Sequence, residues 1–149
     1  MMWGVLMPNG LIALKKQDGR QSSEKYINLL DTFAVPLLKL NMKSNFYLIQ
    51  DNCSIHVSRI AKDYFDKQSF KALDWPAKSP DLNLMENIWK LISDLVYSEE
   101  QPKNISELEH KIHAAVLQIN SERLAINKGL YTSYRKRLTK VLLSKGNIV

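Results

Sequence analysis

The 149-residue sequence predicts a mixed α/β domain. Three observations carry that expectation: short apolar runs bounded by turn residues near the start, a six-residue apolar run at 45–50, and long helical periodicities over the last third. Strand-like and helix-like patterns alternate before the helices take over, as in a sheet flanked by helices.

Residues 1–7 and 10–15 read as two strands around the turn signal Pro8-Asn9-Gly10, an antiparallel hairpin. Residues 15–22 are polar and contain Asp18-Gly19, a turn. Ser22 or Ser23 can cap the next helix, with Glu24 in its first turn and Tyr26, Leu29, Leu30 and Phe33 on its inner face. Pro36 should kink or restart that helix, because its ring removes a backbone donor. Residues 45–50 read as a buried strand ended by Asp51-Asn52. A helix over 56–68, capped by Ser54 and facing inward through Ile60, Tyr64 and Phe65, then leads to a short strand at 70–74. After a proline-rich loop, the helix over 84–98 has an apolar face so wide that burial against a sheet is expected. Ser106-Glu107-Leu108-Glu109 reads as a capping box for a helix to about residue 120, and a last helix runs over 130–144, with Gly146 beyond its end.

An apolar share of 45% argues against a disordered chain. Cys53 is the one cysteine, so neither a disulfide framework nor a cysteine-type zinc site is possible, and a reducing compartment is expected. No apolar run reaches the roughly 20 residues of a membrane span, so a soluble protein is expected. The net charge of +6 is unevenly placed. Residues 1–101 balance 12 Lys/Arg against 12 Asp/Glu, whereas residues 102–149 carry 9 against 3. Arg135-Lys136-Arg137 is the densest basic run. Such an excess suits a polyanionic partner such as DNA, or equally a solvated helix face.

Two carboxylates stand out by position. Asp51 closes the most apolar strand, at the edge where catalytic groups of open α/β sheets gather, and Glu86 lies in the first turn of the helix over 84–98. Together they offer hard oxygen ligands suited to Mg²⁺ or Mn²⁺. Structural readings stand beside these: an Asx turn at Asp51-Asn52, a capping box in which Glu86 reaches back to Asn83, and an i, i+4 pair of Glu86 with Lys90.

Longer motifs decide between the readings. Leu48-Ile49-Gln50-Asp51-Asn52-Cys53-Ser54-Ile55-His56 resembles the QDNAPxH segment of Tc/mariner transposases. Leu73-Asp74-Trp75-Pro76-Ala77-Lys78-Ser79-Pro80-Asp81-Leu82-Asn83-Leu84-Met85-Glu86-Asn87-Ile88-Trp89 resembles that family's DWPxxSPDLNPIENLW segment, and Trp3-Gly4 resembles an early-strand Trp-Gly. Between Asp51 and Glu86 lie 34 residues, the spacing of the branch with a terminal Glu. The resemblance covers roughly residues 1–100.

It implies a ribonuclease-H-like fold, with residues 1–101 as a catalytic domain and the basic helical residues 102–149 as a further part of it. Asp51 and Glu86 would be the second and third members of an Asp-Asp-Glu triad holding two Mg²⁺ or Mn²⁺ ions for DNA strand cleavage and transfer. The first Asp and its central strand lie, in the family, upstream of Trp-Gly. The expectation is therefore a domain lacking that strand and the N-terminal DNA-reading domain, inactive by itself. Neither Asp18 nor Asp31 is placed to substitute. DNA, a second copy of the chain and a nuclear location are implied as well, without any membrane partner. His56 is a candidate for DNA or the metal shell, and Arg135, Lys136 and Arg137 are candidates for DNA. Asn52 would orient Asp51, Asp81 cap its loop, and Trp89 pack in the core. The chain departs from the family in Leu84, where Pro is usual, and in Cys53-Ser54, where Ala-Pro is usual. A non-enzymatic DNA-binding module derived from a transposase is the alternative.

Overall fold

The computed structural model describes residues 1–41, 46–76 and 79–143. The chain divides into two compact units, Met1–Trp3 with Leu14–Lys78, and Gly4–Ala13 with Ser79–Val149. Strands β1 (Met2–Leu6) and β2 (Ile12–Lys16) pair as a two-stranded sheet, as expected. At the turn, Gly10 adopts φ 80°, and Leu11 N–H donates to Asn9 Oδ1 at 3.0 Å. A left-handed residue in so tight a turn is where glycine costs least. Gly19, at φ 66°, does the same in the second polar turn.

In the first unit, Ser22 caps α1 (Ser23–Leu29) by accepting from Lys25 N. Pro36 leaves its mark as expected. A π-helical turn, Leu30–Ala34, separates α1 from α2 (Val35–Asn41), because Pro36 has no N–H to offer the carbonyl one turn back. Strand β3 is only Tyr47–Leu48 and pairs in parallel with β4, Lys71–Ala72. Leu73 N–H extends the pairing by donating to Leu48 O at 2.8 Å. The expectation of a strand buried on both faces over 45–50 is corrected: Tyr47 is 67% exposed and Ile49 50% exposed, while Phe46 and Leu48 turn inward. Successive strand side chains point to opposite faces, so a run that packs on one side only exposes every second residue. Residue 45 lies outside the described residues.

Helix α3, Arg59–Phe65, supplies the crossover a parallel pair requires. It begins later than its sequence suggests, capped by Ser58 rather than Ser54. His56 N–H and Val57 N–H close a turn onto Cys53 O at 2.8 and 3.2 Å, and the extended backbone of Ser58 (φ −60°, ψ 159°) separates that turn from the helix. The inner face rotates accordingly. Ala61 is buried, Ile60 is exposed, and Tyr64 and Phe65 pack against the core. That core is Tyr26, Leu30, Ala34, Val35 and Phe70, with Phe46 stacked on Phe70 at 4.7 Å.

In the second unit, a 3-10 turn (Pro80–Leu82) leads into α4 (Leu84–Val96), which buries Ile88, Ile92 and Val96. Trp89 is half-buried beside them. Within this unit α4 packs on α5 (Ile105–Ser121) and α6 (Arg123–Leu143), and the hairpin segment Gly4–Ala13, with Val5, Met7 and Ile12 buried, belongs to the same compact unit. An apolar helix face specifies burial but not the element that covers it. The cap of α5 is Asn104, which accepts from Glu107 N at 2.9 Å, while Glu107 Oε2 accepts from Lys103 N at 2.8 Å. The cap therefore sits two residues before the Ser106 expected, and Glu107 reaches back past it to Lys103 rather than closing a capping box. Helix α6 begins at Arg123, well before residue 130, and carries Gly129 in its interior. The expected end at 144 and Gly146 lie outside the described residues, as does the side chain of Asp81. Asn120 clamps the backbone of Ile12, receiving its N–H at 2.8 Å and donating to its carbonyl at 2.9 Å. Among the described residues the strands form two separate two-stranded sheets rather than one larger mixed sheet, because no ladder joins the two pairs.

Candidate active site

Asp51 stands on irregular backbone three residues beyond β3, with its side chain 62% exposed. Cys53 N–H donates to its Oδ1 at 3.1 Å, so the Asx-turn reading of Asp51 is realised. His56 Nδ1 lies 2.7 Å from the same oxygen. An ionised carboxylate only accepts, so a hydrogen bond here requires the ring to donate through Nδ1. Among the described residues Asp51 Oδ2 takes no hydrogen bond.

The ring of His56 lies 4.3 Å from that of Tyr26, tilted by 41°. Tyr26 O–H donates to Gln50 Oε1, and Gln50 Nε2 donates to His56 O at 3.3 Å. Burial, then the nearby Asp51 charge, then Tyr64 push the Tyr26 phenol well above its ordinary range, so it remains a donor. Sequence reading placed Tyr26 in the core and gave Gln50 no role. The available signal was that Gln50 adjoins Asp51 inside the motif.

Asn52 does not orient Asp51. Its Nδ2 donates to Trp75 O at 2.7 Å and so ties together the two motif-bearing segments of the first unit. Trp75 is buried, as a residue that fixes loop geometry should be.

Glu86 lies in the first turn of α4 and is exposed. Asn83 is the cap, its Oδ1 accepting from Met85 N at 3.0 Å. The reciprocal bond of a capping box is not made: among the described residues no donor holds the Glu86 carboxylate, and Lys90 forms no pair with it. The cap also explains why Leu84 can replace the proline usual there, since Asn83 organises the helix start by itself.

Of the three basic candidates, Arg135 and Lys136 are exposed on α6, whereas Arg137 is engaged. Its Nη2 donates to Asn87 Oδ1 at 3.1 Å and its guanidinium lies 5.7 Å from the centre of the Tyr134 ring. Arg137 thus fastens α6 to α4, next to Glu86 in sequence. Among the described residues no group of three or more His, Cys, Asp or Glu side chains converges. Nor does any described helix have the length and apolarity to cross a membrane.

The chain is thus a mixed α/β protein that displays an exposed, turn-held aspartate and an exposed helix-start glutamate. Residues 1–109 match the DDE superfamily endonucleases, and the chain belongs to that family. Within it the chain is similar to transposases of Tc-type transposable elements. It is 31% identical over 148 residues to the Tc3 transposase of Caenorhabditis elegans, covering 99% of this chain and 44% of that protein. The Tc1 transposase of C. elegans is 30% identical over 90 residues, 60% of this chain and 33% of that one. A chain from the crystal structure of the Mos1 strand transfer complex shares the fold, with TM-score 0.69 and 17% identity over 97% of this chain and 40% of that one. This chain thus spans less than half the length of these relatives.

Proposed function

We propose that the chain carries the second and third acidic residues of a ribonuclease-H-like DDE catalytic domain, Asp51 and Glu86, and that this domain cuts and joins DNA with Mg²⁺ or Mn²⁺. The observation that carries the reading is the family match over residues 1–109, which contains both carboxylates at the 34-residue spacing. The residues fit the cation. Asp51 is exposed with Oδ2 uncommitted, and Glu86 is exposed with no donor on its carboxylate among the described residues. Both are hard oxygen donors of the kind Mg²⁺ and Mn²⁺ take. A bound divalent cation would supply Lewis acidity at a DNA phosphodiester.

The chain's own groups do the rest. Cys53 N–H and His56 hold Asp51 Oδ1, and the Asn83 cap fixes the turn that displays Glu86. Arg135 and Lys136 offer exposed cations to phosphates. On this reading residues 1–101 and the basic residues 102–149 serve one catalytic domain, DNA is the substrate, a second copy of the chain is a partner, and the nucleus is the place of action.

Calorimetric titration with Mg²⁺ and Mn²⁺ tests the proposal. Binding by the unaltered chain that is lost in both Asp51→Ala and Glu86→Ala supports it, and binding indifferent to both substitutions overturns it. Salt-sensitive duplex binding that survives both substitutions, without any metal effect, would favour a non-enzymatic DNA-binding module.

A further inference from the structure

We infer that Tyr26, Gln50 and His56 form a positioning relay that pins Asp51 through Oδ1 and so presents Oδ2 alone to the cation. The inference rests on reading Asp51 as a metal ligand.

All four residues belong to the first unit, and each link is a direct contact. Tyr26 is rooted in the core, 2% exposed on α1. Its hydroxyl donates to Gln50 Oε1, which leaves Nε2 as the end of that amide facing the His56 carbonyl, 3.3 Å away. The same tyrosine ring lies against the imidazole at 4.3 Å. Tyr26 therefore fixes His56 twice, through its ring face and, by way of Gln50, through its backbone. His56, only 16% exposed at its side chain, then holds an aspartate that is itself largely in solvent. The Cys53 N–H bond falls on the same carboxylate oxygen. Two donors converging on Oδ1 fix the plane of the carboxylate, and the remaining oxygen is available for one-oxygen coordination. Outer partners of metal-binding carboxylates commonly orient them in this way, and their loss typically weakens metal binding by about 10–100-fold.

Neither Tyr26 nor Gln50 touches substrate on this reading. They are positioning residues, and the test must distinguish that role from simple support of the turn. Asparagine can place an amide N–H close to where Nδ1 of histidine sits, whereas alanine cannot. On the full chain, His56→Ala should weaken Mn²⁺ binding by about tenfold or more, the usual scale for a lost outer partner. His56→Asn should restore most of that affinity, and Tyr26→Phe should cause a smaller loss. Equal Mn²⁺ affinities in the alanine and asparagine variants would overturn the relay.

A second readout needs no metal. Long-range ¹H–¹⁵N spectra of the metal-free chain report which ring nitrogen of neutral His56 carries its proton, and the relay requires Nδ1. A ring protonated at Nε2 in a chain that still binds Mn²⁺ would sink the relay and leave the metal reading intact. A ring protonated at Nδ1 in a chain that binds no Mn²⁺ would sink the metal reading and leave the hydrogen-bonded chain standing.

Discussion

In the first unit, Asp51 stands on irregular backbone and is held by donors that reach it from a turn and from a core tyrosine by way of His56. In the second unit, Glu86 has no such attendants among the described residues; the first turn of a 13-residue helix carries it, and Asn83 caps that helix. The contrast shows two ways of placing a carboxylate. Where the backbone is irregular, side-chain hydrogen bonds must supply the rigidity. Where it is helical, the helix supplies direction and the cap prevents fraying. Removing a partner should therefore disturb Asp51 locally, whereas Glu86 should respond to whatever loosens α4.

The largest expected effects probe the platforms beneath the two carboxylates. Leu30 and Ile88 are each fully buried, in the first and second units respectively. Leu30→Ala and Ile88→Ala should each cost about 2–5 kcal/mol in urea unfolding. A loss below about 1 kcal/mol at either site would mean that its unit lacks the packed core the structure shows.

Next in size is the helix start. Asn83→Ala should cost about 1 kcal/mol, and Asn83→Ser should recover most of it. Amide exchange at Met85 and Glu86 should accelerate in the alanine variant while that at Cys53 stays unchanged. Acceleration at Cys53 as well would erase the distinction between the two modes of support.

A smaller effect of opposite sign is expected on α6. Nothing lies within 4 Å of a Cβ built on Gly129. Gly129→Ala should then stabilise the chain by roughly 0.5–1 kcal/mol through helix propensity. Destabilisation in thermal melts would argue against a continuous helix there.

The least effect at neutral pH belongs to the phenols of the first unit. Burial, with a hydrogen bond to Asp31 next, raises the Tyr64 pKa, and burial first of all raises that of Tyr26. A raised folded value favours the neutral phenol in the native state. The contribution is complete below the unfolded tyrosine value of about 10 and is lost as pH rises from there through the folded values. Urea midpoints should therefore fall above that pH, and less steeply in Tyr64→Phe. An unchanged alkaline slope in that variant would remove Tyr64 from the account.

Several local signals are legible in the sequence, although the caps of α3 and α5 fall at Ser58 and Asn104 rather than at Ser54 and Ser106. The turn at Asn9-Gly10, the cap at Ser22, the interruption near Pro36 and the helix behind Asn83 all follow from side chains acting within a few residues of themselves. The motifs around Asp51 and Glu86 likewise marked the family, because residue types at fixed spacing are a property of the chain alone.

What only tertiary structure decided is what those residues touch. Asn52 reaches Trp75, Tyr26 reaches Gln50 and His56, Asn120 clamps Ile12, and Arg137 reaches Asn87, across separations that no periodicity encodes. The same holds for the run at 45–50, whose composition suits a buried strand but whose Tyr47 and Ile49 are exposed while Phe46 and Leu48 pack on the core. Hydrophobicity states that a side chain gains by leaving water, while the geometry of the packed chain determines whether a partner is there to receive it.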